Sequence, residues 1–186
     1  HEFKSGVTHT IYGRNRMGLE SVTLADVLRG AGYRTGMFGK WHLGHEGEYR
    51  PENRGFDVSL TTIEDTQRSH FDPVLLRNGK EEQHEGYRTD ILFREATRFI
   101  EANRDGPFFC YIPTYSPHAP LVDPEEYLAR YRGKDLDEEK EVPFFAMVSN
   151  IDDNLGRLMA KLEELGLDDD TLVIHMNDNG GTHGVD

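Results

Sequence analysis

The stretch GYRTGMFGKWHLG, residues 32–44, joins a short apolar run to residues that carry chemistry. Its first part, YRTGMF, is typical of a buried strand that runs into a glycine-rich segment. Lys40 and His42 then flank the only tryptophan of the chain, Trp41. A core strand has no use for a lysine and a histidine, and a solvated loop has little use for Phe38 and Trp41. Two interpretations carry similar weight: Lys40 and His42 face a ligand, or Lys40 lies along a packed Trp41 and His42 completes a turn.

Helical and strand patterns alternate on both sides of this stretch. Ser21 or Thr23 can cap a helix over LADVLRGAG before it. An amphipathic pattern over TDILFREATRFIEANR precedes the apolar run FFCYI, and a long helix from about Val142 to Leu165 precedes the apolar run TLVIHM. Continuous apolar runs of this kind are typical of strands covered on both faces. The order predicts an α/β domain with a mainly parallel sheet flanked by helices.

Two other segments carry weaker patterns. DPEEYLARY begins with Asp123, which we expect to cap a helix, followed by a proline and two glutamates in the first turn. Residues 44–86 are polar, with glycine, proline and asparagine scattered through them, so we predict mostly irregular structure there. Within that region, DPVLLRNGK contains an Asn-Gly turn pattern.

The composition restricts the classes of function. With 186 residues the chain has the length of one domain, and its formal net charge of −13 argues against a nucleic-acid backbone or an anionic membrane surface as the main partner. A small anionic substrate is compatible with this charge, because a few cations can dominate a pocket. No apolar run approaches the roughly 20 residues of a membrane span. The single cysteine, Cys110, excludes an internal disulfide and is expected to be a buried, inert thiol.

Candidate functional residues follow each of the three predicted strands. Lys40 and His42 follow the first strand, His118 in YSPHAPL follows the second, and Asp178 and Asn179 in NDNGG follow the third. Ligands collect at the carboxyl ends of strands in α/β sheets. Lysine suits an anionic oxygen, histidine moves protons near neutral pH, and a carboxylate beside an amide oxygen suits Ca²⁺ or Mg²⁺. Taken singly, a histidine held between two prolines favours a structural role, and Asp-Asn-Gly is common in turns.

Read together, these segments resemble the sulfatase family. GYRTGMFGKWHLG resembles the second signature of that family, PFFCYIPTYSPHAPL its strand-plus-histidine segment, and LGLDDDTLVIHMNDNGG its metal-binding strand end. The resemblance covers nearly the whole chain. It implies an alkaline-phosphatase-like α/β fold and the hydrolysis of a sulfate ester, with a small-molecule or carbohydrate sulfate ester as substrate. Three shorter segments also fall in the order seen in bacterial arylsulfatase-like members: RGFD at 54–57, NGK at 78–80 and EGYRTD at 85–90.

The resemblance also implies roles for the candidate residues. In the family a cysteine or serine is converted to formylglycine, whose hydrate attacks sulfur beside a bound Ca²⁺. Lys40 is similar to the lysine that holds the sulfate oxygens, and His42 to the histidine that contacts the formylglycine hydroxyl and helps to release sulfate. His118 resembles the histidine near the leaving-group oxygen. Asp178 and Asn179 match two of the metal ligands, for Ca²⁺ or for Mg²⁺.

The chain departs from the family pattern at its ends. The motif Cys/Ser-x-Pro-x-Arg is absent, as are the paired N-terminal aspartates and a lysine after NDNGG. Cys110 does not replace the nucleophile, because the proline follows one place late and the arginine is missing. We therefore expect residues 1–186 to be a partial catalytic domain, incomplete at both ends, that is inactive without the missing segments of its parent chain. A periplasmic or secreted location follows from the resemblance alone.

Two alternatives stay open. A phosphatase or phosphodiesterase of the same superfamily would use the same sheet and a similar clamp for an anion, although such enzymes usually carry two zinc-type sites rich in aspartate and histidine. A non-catalytic remnant that binds a metal or a sulfated ligand would explain the missing nucleophile. Comparing the turnover of aryl sulfate with that of aryl phosphate tests the first alternative, and a parent chain with no Cys/Ser-x-Pro-x-Arg motif upstream of His1 would favour the second.

Overall fold

The structure, a computed structural model, describes residues 16–62 and 69–178. Its centre is a five-stranded mixed sheet with the strand order β4-β3-β2-β1-β5. The strands are β1 (Arg34–Gly39), β2 (Val58–Thr62), β3 (Val74–Arg77), β4 (Lys80–Gln83) and β5 (Phe108–Tyr111). The helices are α1 (Leu24–Gly30), α2 (Arg88–Ala102), α3 (Glu125–Leu128) and α4 (Glu141–Glu164). The predicted α/β class, with helices beside a sheet, is confirmed.

The strand predicted from YRTGMF lies in the middle of the parallel part of the sheet. β1 pairs in parallel with β2 on one side and with β5 on the other. Successive side chains of a strand point to opposite faces. Phe38 accordingly packs against Phe99 of α2, with ring centroids 5.6 Å apart, whereas Met37 belongs to a separate core cluster. Both faces of β1 are therefore buried, and only the end of the strand is available to a ligand.

The predicted helices begin and end close to their expected residues. Thr23 caps α1: its hydroxyl accepts from the Asp26 amide, and the Asp26 carboxylate accepts from the Thr23 amide. α4 ends before Gly166, whose φ of +66° suits glycine, and the amide of Leu167 donates back to the carbonyl oxygen of Leu162. The main core between the sheet and the helices consists of Phe38, Leu60, Leu75, Ile91, Leu92, Phe93, Ala96, Phe99, Ile100, Leu158 and Leu162.

The region 44–86 is more regular than its sequence predicts. It contains β2, β3 and β4, so the prediction of mostly irregular structure was wrong there. The Asn-Gly turn is confirmed: Asn78 and Gly79 have φ of +48° and +75°, and they join β3 to β4 in an antiparallel hairpin. β4 has the polar sequence KEEQ and lies at the edge of the sheet, where a strand needs few apolar side chains. Pairing with neighbours therefore overrode the local propensity.

The third predicted strand does not form. TLVIHM and the residues up to Asp178 have no strand hydrogen bonds within the described part of the chain. Leu172, Ile174 and Met176 are 85%, 71% and 78% exposed. An apolar run becomes a strand only where another strand supplies hydrogen-bond partners, and none of the described strands does so here. The strand predicted from the apolar pattern of TLVIHM is therefore not found among the described residues.

β5 forms as predicted, but the expectation that both of its faces are covered holds only in part. It pairs with β1 on one side, and in the described part of the chain it is an edge strand. Phe108, Phe109 and Cys110 are half-buried, and Tyr111 is exposed. Among residues 16–62 and 69–178, we find no helix that is both long enough and apolar enough to cross a membrane.

The predicted cap at Asp123 was also wrong. The N-cap of the short helix α3 is Pro124, and no side chain within the described ranges makes a capping hydrogen bond there. Asp123 is instead only 7% exposed, and neither carboxylate oxygen has a hydrogen-bond partner among the described residues. Its burial raises the pKa of this carboxyl group from 3.8 to about 7. The side chain turned into the protein rather than towards the helix terminus.

Candidate anion site at the ends of β1 and β5

The end of β1 lies against the loop that follows β5. A Cβ atom on Gly39 would be 2.0 Å from the carbonyl oxygen of Pro113, and the φ of Gly39 is +153°. No other residue fits this approach. The next amide, that of Lys40, donates a 2.7 Å hydrogen bond to the same carbonyl oxygen. The glycine therefore allows the strand end to join the loop that carries His118.

Tyr115 is the point where two of the predicted site residues meet. The Lys40 Nζ atom lies 5.3 Å from the centroid of the Tyr115 ring. The centroid of the His118 ring lies 5.2 Å from the same point. Lys40 is half-buried and His118 is exposed, so both side chains can reach solvent or a ligand. Two residues predicted from separate motifs thus contact one aromatic ring.

The tautomer of His118 is set by a backbone carbonyl group. Its Nδ1 atom lies 2.8 Å from the carbonyl oxygen of Ala119. Because a carbonyl oxygen only accepts, Nδ1 carries the proton, and Nε2 is left to accept a proton or, in the imidazolium, to donate one. The hydroxyl of Tyr115 also donates to the Ala119 carbonyl oxygen, at 3.3 Å. This arrangement suits a histidine that transfers a proton through Nε2.

The apolar residues on either side of Lys40 are packed inside the protein. Phe38 is buried in the main core, and Trp41 is 5% exposed. The Trp41 indole N–H donates to the carbonyl oxygens of Gly44 and Tyr49, at 2.8 and 2.9 Å. His42, which follows directly, is half-buried and lies beside His45, with ring centroids 6.4 Å apart. Trp41 thereby fixes the loop from which Lys40 and His42 project.

Arg88 is a part of the site that sequence reasoning missed. It is only 2% exposed, and its guanidinium carbon lies 4.2 Å from the centroid of the Tyr115 ring. Its two terminal nitrogens contact the Ser69 carbonyl oxygen at 3.3 Å and the His70 Nδ1 atom at 3.4 Å. Burial lowers the pKa of Arg88 from its ordinary value. An arginine in the buried first turn of an amphipathic helix, as in EGYRTD, was the signal that could have identified it.

His70 is a neutral neighbour of this arginine. It is 2% exposed, and burial, followed by the charge of Arg88, lowers its pKa to about 4. The ring stacks on Tyr87 and meets the Tyr115 ring edge-on, with centroids 6.1 and 5.9 Å away. In the described part of the chain, neither Arg88 nor Lys40 pairs with a carboxylate. Two cations, Lys40 and Arg88, therefore lie beside the Tyr115 ring of an acidic protein.

The predicted metal ligands are described only in part. Asp178 is exposed, and its charge adds to burial in raising the pKa of Tyr111, so it lies near the end of β5. Asn179 lies outside the described residues. Within the described ranges, no three His, Cys, Asp or Glu side chains gather where they could hold a metal ion. These residues alone therefore do not form a complete metal site.

Cys110 is unsuited to nucleophilic chemistry. It packs against the main core, and burial raises the pKa of its thiol to about 12. A thiol with such a pKa is almost fully protonated at neutral pH, whereas the thiolate is the nucleophile. The interpretation of Cys110 as an inert thiol is confirmed.

The RGFD segment supports the fold near the site. Arg54 is 6% exposed and donates to the carbonyl oxygens of Gly18, Leu19 and Ser21. Asp57 accepts from the amide and the hydroxyl of Thr35, at the start of β1. These contacts fix the strand on which Lys40 depends.

Known proteins share this sequence and fold. The arylsulfatase of Klebsiella aerogenes is 25% identical over a match that covers 85% of this chain and 47% of that protein. The N-acetylgalactosamine-6-sulfatase of Homo sapiens is 29% identical, with 84% of this chain and 32% of that protein covered. The chain thus spans less than half the length of these curated relatives. The crystal structure of Ps i-CgsB superimposes with a TM-score of 0.79 at 26% identity, covering 88% of this chain and 42% of that one.

The family match extends over almost the whole sequence. The family profile described as Sulfatase matches residues 1–185. The three motifs that carry the resemblance lie at 32–44, 107–121 and 165–181, all within that match. The chain belongs to the sulfatase family.

Proposed function

We propose that these 186 residues are the central part of a sulfuric ester hydrolase that cleaves a sulfate monoester. The observation that carries the proposal is the convergence of Lys40, Arg88 and His118 on the ring of Tyr115. Cations without a carboxylate partner at the carboxyl ends of parallel strands favour an anionic ligand. The membership of the sulfatase family makes that ligand a sulfate group.

Each side chain supplies one requirement of sulfuryl transfer. The Lys40 ammonium group stabilises negative charge on the sulfate oxygens. As the imidazolium, His118 donates its Nε2 proton to the departing oxygen, while its Nδ1–H is held by the Ala119 carbonyl group. His42 assists the release of sulfate. We place the nucleophile, a formylglycine, outside this chain, because residues 1–186 contain no Cys/Ser-x-Pro-x-Arg motif.

We also propose that Asp178 and Asn179 contribute oxygen ligands to a Ca²⁺ site, which Mg²⁺ can occupy as well. The chemistry of this donor pair supports the proposal, but a complete site needs further ligands besides Asp178. A bound cation would supply positive charge for the sulfate group. Calcium titration of the natural full-length polypeptide by calorimetry tests this: we expect Asp178→Ala to weaken binding at least about tenfold, and unchanged affinity would refute the assignment.

The substrate class follows from the relatives. One is named an arylsulfatase and another an N-acetylgalactosamine-6-sulfatase, so we propose an aryl or carbohydrate sulfate ester as the substrate. The decisive experiment compares 4-nitrophenyl sulfate with 4-nitrophenyl phosphate as substrates of the natural full-length polypeptide. We expect the sulfate to be hydrolysed faster and Lys40→Ala to abolish its turnover. Faster phosphate turnover would instead favour a phosphatase.

The isolated 186-residue chain provides a second test. Because it lacks the nucleophile, we expect it to release no sulfate from the aryl ester. Sulfate release by the purified chain that disappears in Lys40→Ala would contradict the placement of the nucleophile. If the full-length polypeptide binds inorganic sulfate without any turnover, the non-catalytic alternative is correct.

A further inference from the structure

Arg88 is a buried cation to which the chemical steps proposed above assign no role of its own. Its side chain is among the largest fully buried ones, at 2% exposure. A buried charge is costly unless an opposite charge or a set of hydrogen bonds compensates it. Within the described residues it has no carboxylate partner, and its polar contacts are a single carbonyl oxygen and the neutral imidazole of His70. Such a cation requires an explanation beyond packing.

A buried carboxylate lies in the same region without pairing with this cation. Both Asp123 and Arg88 act electrostatically on Tyr87. The charge of Asp123 raises the pKa of the Tyr87 hydroxyl, and the charge of Arg88 lowers it. The two charges nevertheless make no ion pair or hydrogen bond with each other. The Tyr87 hydroxyl donates to the Val122 carbonyl oxygen instead, at 2.9 Å. Asp123 therefore does not neutralise the positive charge of Arg88 through an ion pair, and this charge can act near Tyr115.

Tyr115 joins this buried charge to the accessible part of the site. Its ring is contacted by Arg88 at 4.2 Å, by Lys40 at 5.3 Å and by His118 at 5.2 Å, measured to the ring centroid. An aromatic face attracts each cation, but two cations near one ring repel each other. A bound anion removes this repulsion. The arrangement is thus most favourable when an anion occupies the site.

We propose that Tyr115 and Arg88 are positioning residues of the anion site. Tyr115 holds Lys40 and His118 in place, and Arg88 supports the ring from the buried side and adds a charge that neutral pH does not remove. This inference rests on the proposed function, since the anion concerned is the sulfate group. Neither residue touches the reacting atoms, so each acts through Lys40 and His118.

The test measures inorganic sulfate binding to the natural full-length polypeptide by isothermal titration calorimetry at constant ionic strength. We expect Arg88→Met to weaken sulfate binding about tenfold, because the charge is lost while the length of the side chain is kept. Arg88→Lys restores part of the affinity, because the charge remains without the planar stacking. We expect Tyr115→Leu to weaken sulfate binding as much as Arg88→Met does. The affinity of Tyr115→Phe for sulfate is expected to stay within about twofold of that of the unaltered protein, because phenylalanine retains the aromatic face.

Arg98→Met is the matched control. Arg98 lies on the same helix, is exposed and pairs with Glu95, so we expect its loss to leave sulfate binding unchanged. Turnover of 4-nitrophenyl sulfate gives a second readout. Arg88→Met is expected to raise KM more than it lowers kcat, because the lost charge acts on bound substrate and transition state alike. Damage to the fold would instead lower the folded fraction, which circular dichroism and urea unfolding detect.

The outcomes separate this inference from the function on which it rests. An Arg88→Met protein that folds and binds sulfate as tightly as the unaltered protein would overturn the inference and leave the sulfatase function intact. If Arg88→Met does not fold, Arg88→Lys and Tyr115→Leu decide the question in the same titration, and unchanged affinity in both overturns it. Failure of the unaltered protein to bind sulfate or to cleave the sulfate ester overturns both.

Discussion

The amide of Lys40 donates to the carbonyl oxygen of Pro113 at 2.7 Å, so the end of β1 is tied to the loop that follows β5. The lysine of one motif and the histidine of another thus lie beside the same Tyr115 ring, although 78 positions of sequence separate Lys40 from His118. Parallel pairing of β1 with β5 makes the contact possible, because both strands end at the same edge of the sheet. The candidate site therefore depends on the parallel pairing of β1 with β5.

The first prediction concerns Gly39, which permits this contact. Gly39→Ala places a methyl group 2.0 Å from the Pro113 carbonyl oxygen, so the strand end and the loop must separate. We expect the free energy of unfolding to fall by about 2 kcal/mol or more, as measured by urea unfolding. Gly106→Ala is the control, because a Cβ atom there meets nothing within 4 Å. Equal unfolding midpoints for the two variants would show that the close approach is not rigid.

The second prediction concerns Cys110. Its thiol has a pKa of about 12 because of burial, so at pH 8 only about one thiol in ten thousand is ionised. We expect a thiol-specific reagent such as dithiobisnitrobenzoate to label the folded protein far more slowly than the protein in denaturant. The unlabelled Cys110→Ala variant provides the baseline, as the chain has no other cysteine. Rapid labelling of the folded chain would mean that Cys110 is accessible and reactive.

The third prediction concerns pH and Asp123. Burial raises the pKa of its carboxyl group from 3.8 to about 7. Between these two values the folded state holds a proton that the unfolded state has released, so stability falls as the pH rises from about 4 to about 7. The slope is about 1.4 kcal/mol per pH unit at most. Above pH 7 the penalty is complete and constant.

Asp123→Asn removes this penalty, because the amide does not ionise. We expect the variant to be more stable than the unaltered protein at pH 8, and the difference to shrink towards pH 4, in urea unfolding at each pH. Asp152→Asn, at an exposed position on α4, is the control and should follow the unaltered protein. A variant whose stability tracks that of the unaltered protein across this range would show that the buried carboxylate has a compensating partner.

Sequence patterns correctly predicted those elements whose boundaries are set by residues close by in the sequence. The apolar run of β1, the cap at Thr23 and the glycine after α4 are each sufficient to define a boundary, and the structure uses them. The neighbourhood of Lys40 and His118 was also predictable, because ligands collect where parallel strands end. For these features, neighbouring residues contain the physical cause.

Features that depend on distant partners were not predictable. β4 is polar and becomes a strand only because the turn at Asn78 directs it back along β3. TLVIHM has the composition of a strand but no hydrogen-bonded neighbour among the described residues. Arg88 belongs to the candidate site because it contacts the Tyr115 ring, which lies in a loop distant in sequence. No pattern within one segment reveals any of these contacts.

The last prediction concerns the apolar side chains of the segment that did not become a strand. Leu172 and Ile174 are 85% and 71% exposed, so polar substitutions there remove no packing from the described structure. We expect Leu172→Ser combined with Ile174→Ser to leave the free energy of unfolding of the 186-residue chain within about 0.5 kcal/mol. Because exposed apolar groups promote association, we also expect higher solubility and weaker binding of the dye anilinonaphthalene sulfonate.

Leu162→Ser is the control variant, because it replaces an apolar side chain that is buried. Leu162 belongs to the main core at 2% exposure, so its loss leaves a cavity and is expected to lower the free energy of unfolding by about 3 kcal/mol. If the double variant at Leu172 and Ile174 is destabilised as strongly as Leu162→Ser, those side chains are packed in solution. The segment would then be buried, as its apolar sequence pattern predicts.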